Sequence, residues 1–134
     1  MMVQNSDGVH FDVVTIFPDV FDRLANIGVV GRALQTGLIK LEVHDLRDFC
    51  DGAHRIVDDA PYGGGPGMVL KAEPFFRALD YISESQGDPD SVVLLSPQGK
   101  TLTHGLAERL SGFRHVVFFC GRYEGVDELS LIHI

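Results

Sequence analysis

Cysteine is scarce in this chain: Cys50 and Cys120 are the only two among 134 residues. They stand far apart, without metal or redox spacing. A reducing cytoplasm is the compartment such usage suggests, and each thiol is expected to behave as a small buried hydrophobe. An apolar run of about 18 residues is also missing, which excludes a membrane-spanning helix. Residues 1–10 are polar and lack the basic-then-apolar order of a secretory signal. Bases are few, 11 Lys and Arg against 19 Asp and Glu, for a net charge of −8. That balance excludes a uniformly basic nucleic-acid coat but leaves room for a local basic site. Apolar residues at 45% and charged residues at 22% are ordinary for a globular chain. The length fits one domain.

Glycine, by contrast, is plentiful, at 15 residues, or about 11% where about 7% is usual. Residues 1–8 read as a disordered leader. Residues 9–17 are β-branched and aromatic, with Val13, Val14, Thr15, Ile16 and Phe17 in a row, as in a strand buried on both faces. Pro18 suits the first turn of a helix, and Phe17, Val20, Phe21 and Leu24 recur at helical spacing up to Gly28. A second short helix is expected over 29–35. A half-buried strand is expected over 39–44, where Ile39, Leu41 and Val43 alternate with Lys40, Glu42 and His44. Further along, 72–86 reads as a helix with Phe75, Phe76, Leu79 and Ile82 on one face, and 91–95 as a strand. Thr103 is placed to cap a short helix carrying Leu106 and Leu110, and 115–120 reads as a buried strand. Strands alternating with helices predict an α/β parallel sheet.

Three loops carry the chemistry. Residues 51–67 hold two prolines and five glycines in 17 residues. Ser96-Pro97-Gln98-Gly99 and Gly121-Arg122-Tyr123-Glu124-Gly125 each follow a predicted strand. Ligands of open α/β sheets collect outside the carboxyl ends of strands, so two such loops suggest one shared pocket. Gly99-Lys100-Thr101 imitates the end of a P-loop, but the glycine needed five residues before the Gly-Lys pair is replaced by Leu94. A dinucleotide site would need glycines after the first strand, where Phe17-Pro18-Asp19 stands instead. His54, Asp58 and Asp59 are potential metal donors at short spacing, yet no third region supplies partners. They read as a solvated or hydrogen-bonded loop, and no metal ligand is assigned. The long loop interleaves Arg55, paired aspartates and Tyr62 with its glycines, unlike a linker, and long loops inside a domain tend to be functional. Arg55 is suited to a phosphate and Tyr62 to stacking on a base. From the residues alone, the site is one for a small molecule or a nucleotide.

The motifs together resemble one family. Ile16-Phe17-Pro18, Gly31-Arg32-Ala33, the run from Val57 through Tyr62-Gly63-Gly64-Gly65-Pro66-Gly67-Met68, Leu95-Ser96-Pro97-Gln98-Gly99 and the run from Cys120 through Glu124 to Glu128 are similar, in order, to the bacterial tRNA (guanine-N1)-methyltransferases. The resemblance covers about Phe11 to Glu128. It implies a SPOUT-type α/β fold whose C-terminal part threads a trefoil knot, a rare exception to unknotted topology. It implies a cytoplasmic homodimer that moves a methyl group from S-adenosylmethionine to N1 of the guanine 3′ of the tRNA anticodon, with dependence on Mg²⁺. Carried over by residue, Leu95, Ser96, Pro97 and Gln98 form one wall of the cofactor pocket, and Gly121, Tyr123, Glu124 and Gly125 a second. Glu124, Arg55 and Asp58 are the implied catalytic residues. Tyr62, Gly63, Gly64, Gly65 and Arg122 are the implied substrate contacts. Arg23, Arg32, Arg47, Arg55 and Arg122 are candidate contacts to tRNA.

After Glu128 the family pattern breaks. Leu129-Ser130-Leu131-Ile132-His133-Ile134 differs from the expected Arg and acidic continuation, which in the family threads the knot, completes the cofactor pocket and carries the general base. Residues 129–134 are therefore expected to be a non-native tail, with 9–128 a partial methyltransferase domain, the knot truncated and the chain inactive alone. The alternative is a short, non-catalytic paralogue that binds RNA or a protein partner.

Overall fold

The computed structural model describes residues 8–50, 58–59, 69–70, 72–95 and 99–120, with 58–59 and 69–70 described as backbone only. Four strands form one parallel sheet: β1 (Val9–Thr15), β2 (Ile39–Asp45), β5 (Ser91–Leu95) and β6 (His115–Cys120), in the order β2-β1-β6-β5. Between them run α1 (Pro18–Leu24), α2 (Gly28–Gln35), a 3₁₀ turn (Leu46–Phe49), α3 (Glu73–Gln86) and α4 (His104–Ser111). Two short strands, β3 (Asp58–Asp59) and β4 (Val69–Leu70), pair antiparallel with Asp59 opposite Val69.

β1 lies between two neighbours, so both its edges are paired. Val13 and Val14 point to opposite faces, and both are buried. The larger core lies on the face that carries Val14, Val117 and Phe119. There α3 sets Phe75, Ala78 and Ile82 against the sheet, with Phe75 and Phe119 rings 4.7 Å apart. Phe76 and Leu79 pack at the rim of the same core. Pro74 occupies the first turn of α3, and Gly87 ends it with φ 86°, a left-handed conformation that glycine adopts at little cost. The Thr103 hydroxyl accepts a hydrogen bond from Leu106 N at 3.1 Å and caps α4.

The alternation in β2 holds as far as Val43, with Lys40 and Glu42 exposed between half-buried Ile39, Leu41 and Val43, and ends at His44, whose side chain is only 12% exposed. The first helix is shorter than its apolar spacing predicts. α1 stops at Leu24, and a turn over Ala25, Asn26 and Ile27 separates it from α2. α1 has no buried residue, and Val20, Leu24, Ile27 and Val30 remain exposed. Residues 1–7 and 121–134, on which the leader, tail and knot expectations fall, lie outside the described residues. Gly8, assigned to that leader, has a defined place against the backbone of Gly37 and Leu38.

Candidate functional site

Parallel pairing sets all four carboxyl ends at one edge of the sheet. β5 and β6 are neighbours in a register that places Leu95 opposite Cys120. The chain continues from Leu95 into 96–98 and from Cys120 into 121–125, so both candidate loops begin at adjacent strand ends. This is the arrangement in which a parallel sheet offers backbone groups and loop side chains to one ligand. Leu95 is half exposed, although it ends an interior-type apolar strand. It lines a trough of about 960 Å³ between α4 and the sheet, with Val93, Phe118, Leu102, Leu106 and Leu110 as apolar walls and Gly99 and Lys100 at one end. The volume falls within the range of small-molecule sites, about 300–1,000 Å³. Leu95 and Gly99, the described residues on either side of positions 96–98, both line the trough.

Further contacts surround the strand ends and the short ladder. Asp45 accepts a hydrogen bond from Arg47 N at 2.9 Å and starts the 3₁₀ turn after β2. Arg47 Nη1 donates to Ile16 O at 2.7 Å, which ties that turn to the carboxyl end of β1. The Arg47 guanidinium thus has a structural bond in addition to its place among the candidate tRNA contacts. Burial pushes the Cys120 thiol up to about 11, so the residue before the second loop stays a neutral thiol. The β3–β4 ladder brings together the two flanks of segment 60–68, because Asp59 pairs with Val69.

Of the implied site residues, the described ones are Leu95, at the trough, and the backbone of Asp58, in β3. Ser96, Pro97, Gln98, Gly121, Arg122, Tyr123, Glu124, Gly125, Arg55, Tyr62, Gly63, Gly64 and Gly65 lie outside the described residues, as does His54.

A second constellation has no counterpart in the sequence reading. Asp12, fully buried in the middle of β1, is surrounded by histidines from three strands. His44 Nε2 lies 2.7 Å from Asp12 Oδ1, and His115 Nε2 lies 2.5 Å from Asp12 Oδ2. His10 Nε2 lies 3.5 Å from Asp12 Oδ2. Burial raises the Asp12 carboxyl, but the hydrogen bonds from His44 and His115 and the charge of His10 and His44 outweigh it and hold the group below its ordinary value. The signal in the sequence is polar residues at period two inside apolar strands, His10-x-Asp12 and Glu42-x-His44.

A four-stranded parallel sheet flanked by helices makes this an α/β domain, and its structural likeness is to the SPOUT type. The profile of the family described as tRNA (Guanine-1)-methyltransferase TrmD matches residues 9–133, and the chain belongs to that family. The tRNA (guanine-N(1)-)-methyltransferase of Fervidobacterium nodosum is 47% identical over 116 residues, covering 87% of this chain and 47% of that one. The protein of the same name from Leifsonia xyli is 51% identical over 120 residues, covering 90% of this chain and 52% of that one. The crystal structure of tRNA (m1G37) methyltransferase from Aquifex aeolicus matches with TM-score 0.81 and 41% identity, over 91% of this chain and 55% of that chain. The chain thus spans about half the length of the curated relatives it matches.

Proposed function

We propose that this chain carries the cofactor-contacting part of a tRNA methyltransferase that methylates N1 of the guanine 3′ of the anticodon. The observation that carries the reading is the adjacency of Leu95 and Cys120, which starts the two family loops side by side next to an apolar trough. S-adenosylmethionine supplies an electrophilic methyl group. Leu95, Ser96, Pro97 and Gln98 hold one side of it, and Gly121, Tyr123, Glu124 and Gly125 the other. The fit rests on the apolar walls of the trough, suited to an adenosine, and on glycines that let a ligand approach the backbone.

The chain's own part in the transfer is positioning, which contributes up to about 7–11 kcal/mol when reacting atoms are held in line. Guanine N1 loses a proton, and a positioned base typically contributes about 10²–10⁴-fold. Glu124, Arg55 and Asp58 act around the guanine, and Tyr62, Gly63, Gly64, Gly65 and Arg122 contact the tRNA. Mg²⁺ accompanies the reaction. The working form is a cytoplasmic homodimer, and the exposed apolar residues of α1 and α2 are consistent with a covered face.

The test measures calorimetric binding of S-adenosylmethionine and methyl transfer to a tRNA transcript. It uses this chain and a chimaera in which residues after Glu128 are supplied by the corresponding part of the Aquifex relative. The expected result is transfer by the chimaera alone, reduced at least about 10²-fold by Glu124→Gln. A chimaera that folds but binds no S-adenosylmethionine overturns the reading in favour of a non-catalytic binding module.

A further inference from the structure

The buried cluster on β1, β2 and β6 lies away from the loops just described. His10 and His115 sit at the amino-terminal ends of β1 and β6, five residues before Thr15 and Cys120. At about 3.3 Å per residue, roughly 16 Å of strand separates them from the carboxyl edge. β1 pairs His10 with His115 in register, and the two rings stack with centroids 5.0 Å apart. Asp90 fixes the start of β6, its carboxylate accepting from Arg114 N at 2.8 Å and His115 N at 3.1 Å. Gln86 closes the cluster from the end of α3, with Nε2 donating to Glu42 Oε2 at 3.0 Å.

From this geometry we infer that the cluster is a binding site for a divalent transition metal of the Zn²⁺ type, with His10 Nε2, Asp12 Oδ2 and His115 Nε2 as ligands. The ligand atoms of these three residues lie within 4.8 Å of one another. Ligands about 2.0–2.2 Å from a tetrahedral zinc stand roughly 3.4 Å apart, so adjustments of the order of an ångström complete the set. Two imidazoles and a carboxylate are a donor set that suits zinc over the oxygen-seeking magnesium. His10 supplies an independent pointer. Its Nε2 is buried and makes no hydrogen bond within the described structure, although it faces Asp12 Oδ2. A buried polar atom of that kind calls for a partner.

The surroundings are those of a ligand shell. His44 bonds the other oxygen of Asp12, Oδ1, and so orients the carboxylate without occupying the ligand position. Glu42 Oε1 lies 3.9 Å from His10 Nε2 but groups with Asp12 and His44, so the fourth position on the metal falls to water. Metal binding takes the place of the hydrogen that His115 Nε2 gives to Asp12, that hydrogen moves to Nδ1, and the imidazole binds as the neutral Nδ1–H tautomer.

The test titrates this chain with Zn²⁺ by calorimetry and with Co²⁺ by visible absorption. The expected result is one equivalent bound, with the intense absorption of tetrahedral Co²⁺ that Zn²⁺ abolishes. His10→Gln is expected to remove the one-equivalent site while preserving the fold, because the side chain is partly exposed and holds no hydrogen bond. His115→Gln is expected to remove it as well, and His44→Gln to weaken it about 10–100-fold. His104→Gln, at a fully surface-exposed ring paired with Glu108 on α4, is expected to change nothing. Saturable binding that His10→Gln leaves intact, or no binding of either metal to the folded chain, overturns the inference.

Discussion

Asp12 shows how a single residue depends on partners that the sequence scatters. It is fully buried, yet its carboxylate is favoured because His44 and His115 donate to its two oxygens. His10, Glu42 and Gln86 are the other polar groups facing it, from β1, β2 and α3. A carboxyl held below its ordinary value of 3.8 contributes stability above that value, and the contribution disappears as pH falls through the lower folded value. From about pH 5 downward, wild type is therefore expected to lose its advantage over Asp12→Asn, with the loss concentrated below 3.8. Urea unfolding midpoints of the two proteins across that range check this, and a difference that persists undiminished in acid contradicts it. The cluster was not legible in the sequence. His10 and Asp12 mark a face of one strand, but His115 joins them only through the β1–β6 register, which no local pattern encodes. The loop residues were legible for the opposite reason, since glycine and proline strings are local signals whose order along the chain carries the family resemblance.

At the scale of elements, local rules account for most of what forms. β5 and β6 occupy the spans that their β-branched and aromatic runs predict, and Thr103 caps α4 as expected. α3 begins one residue later than its predicted start, at a proline-bearing first turn. α1 is the instructive exception. Its spacing of apolar residues promised a buried face up to Gly28, but the helix ends at Leu24. Gly31, buried in α2, explains part of the tight corner, because a Cβ there would stand 2.9 Å from the backbone carbon of Asn26. Periodicity gives a helix its stripe but does not say whether the same chain covers it. The element that anchors the main core is α3, through Phe75 against Phe119. Phe75→Ala is expected to destabilise the chain by about 3–5 kcal/mol, the usual cost of emptying a buried aromatic site. The denaturant midpoint should fall accordingly, whereas Tyr81→Ala, at an exposed position on the same helix, should cost much less.

For the molecule as a whole, the apolar residues left on α1 and α2 bear on assembly. Under the proposed homodimer, Val20→Lys is expected to shift the chain to a smaller sedimentation coefficient at equal concentration and to leave its circular dichroism unchanged. A wild-type chain that sediments as a monomer at every concentration removes the basis for that expectation. The strand order has another consequence, in the time domain. β1 is the first strand described and stands in the interior of the sheet, yet one of its edges waits for β6, the last strand described. During synthesis β2 can close one side early, while the other side of β1 stays an open row of N–H and C=O groups until His115 to Phe119 emerge. Such distant pairing slows folding, and an open edge recruits other strands. The interval between making β2 and making β6 is thus when the nascent chain is most exposed to mispairing, and when a chaperone has most to protect.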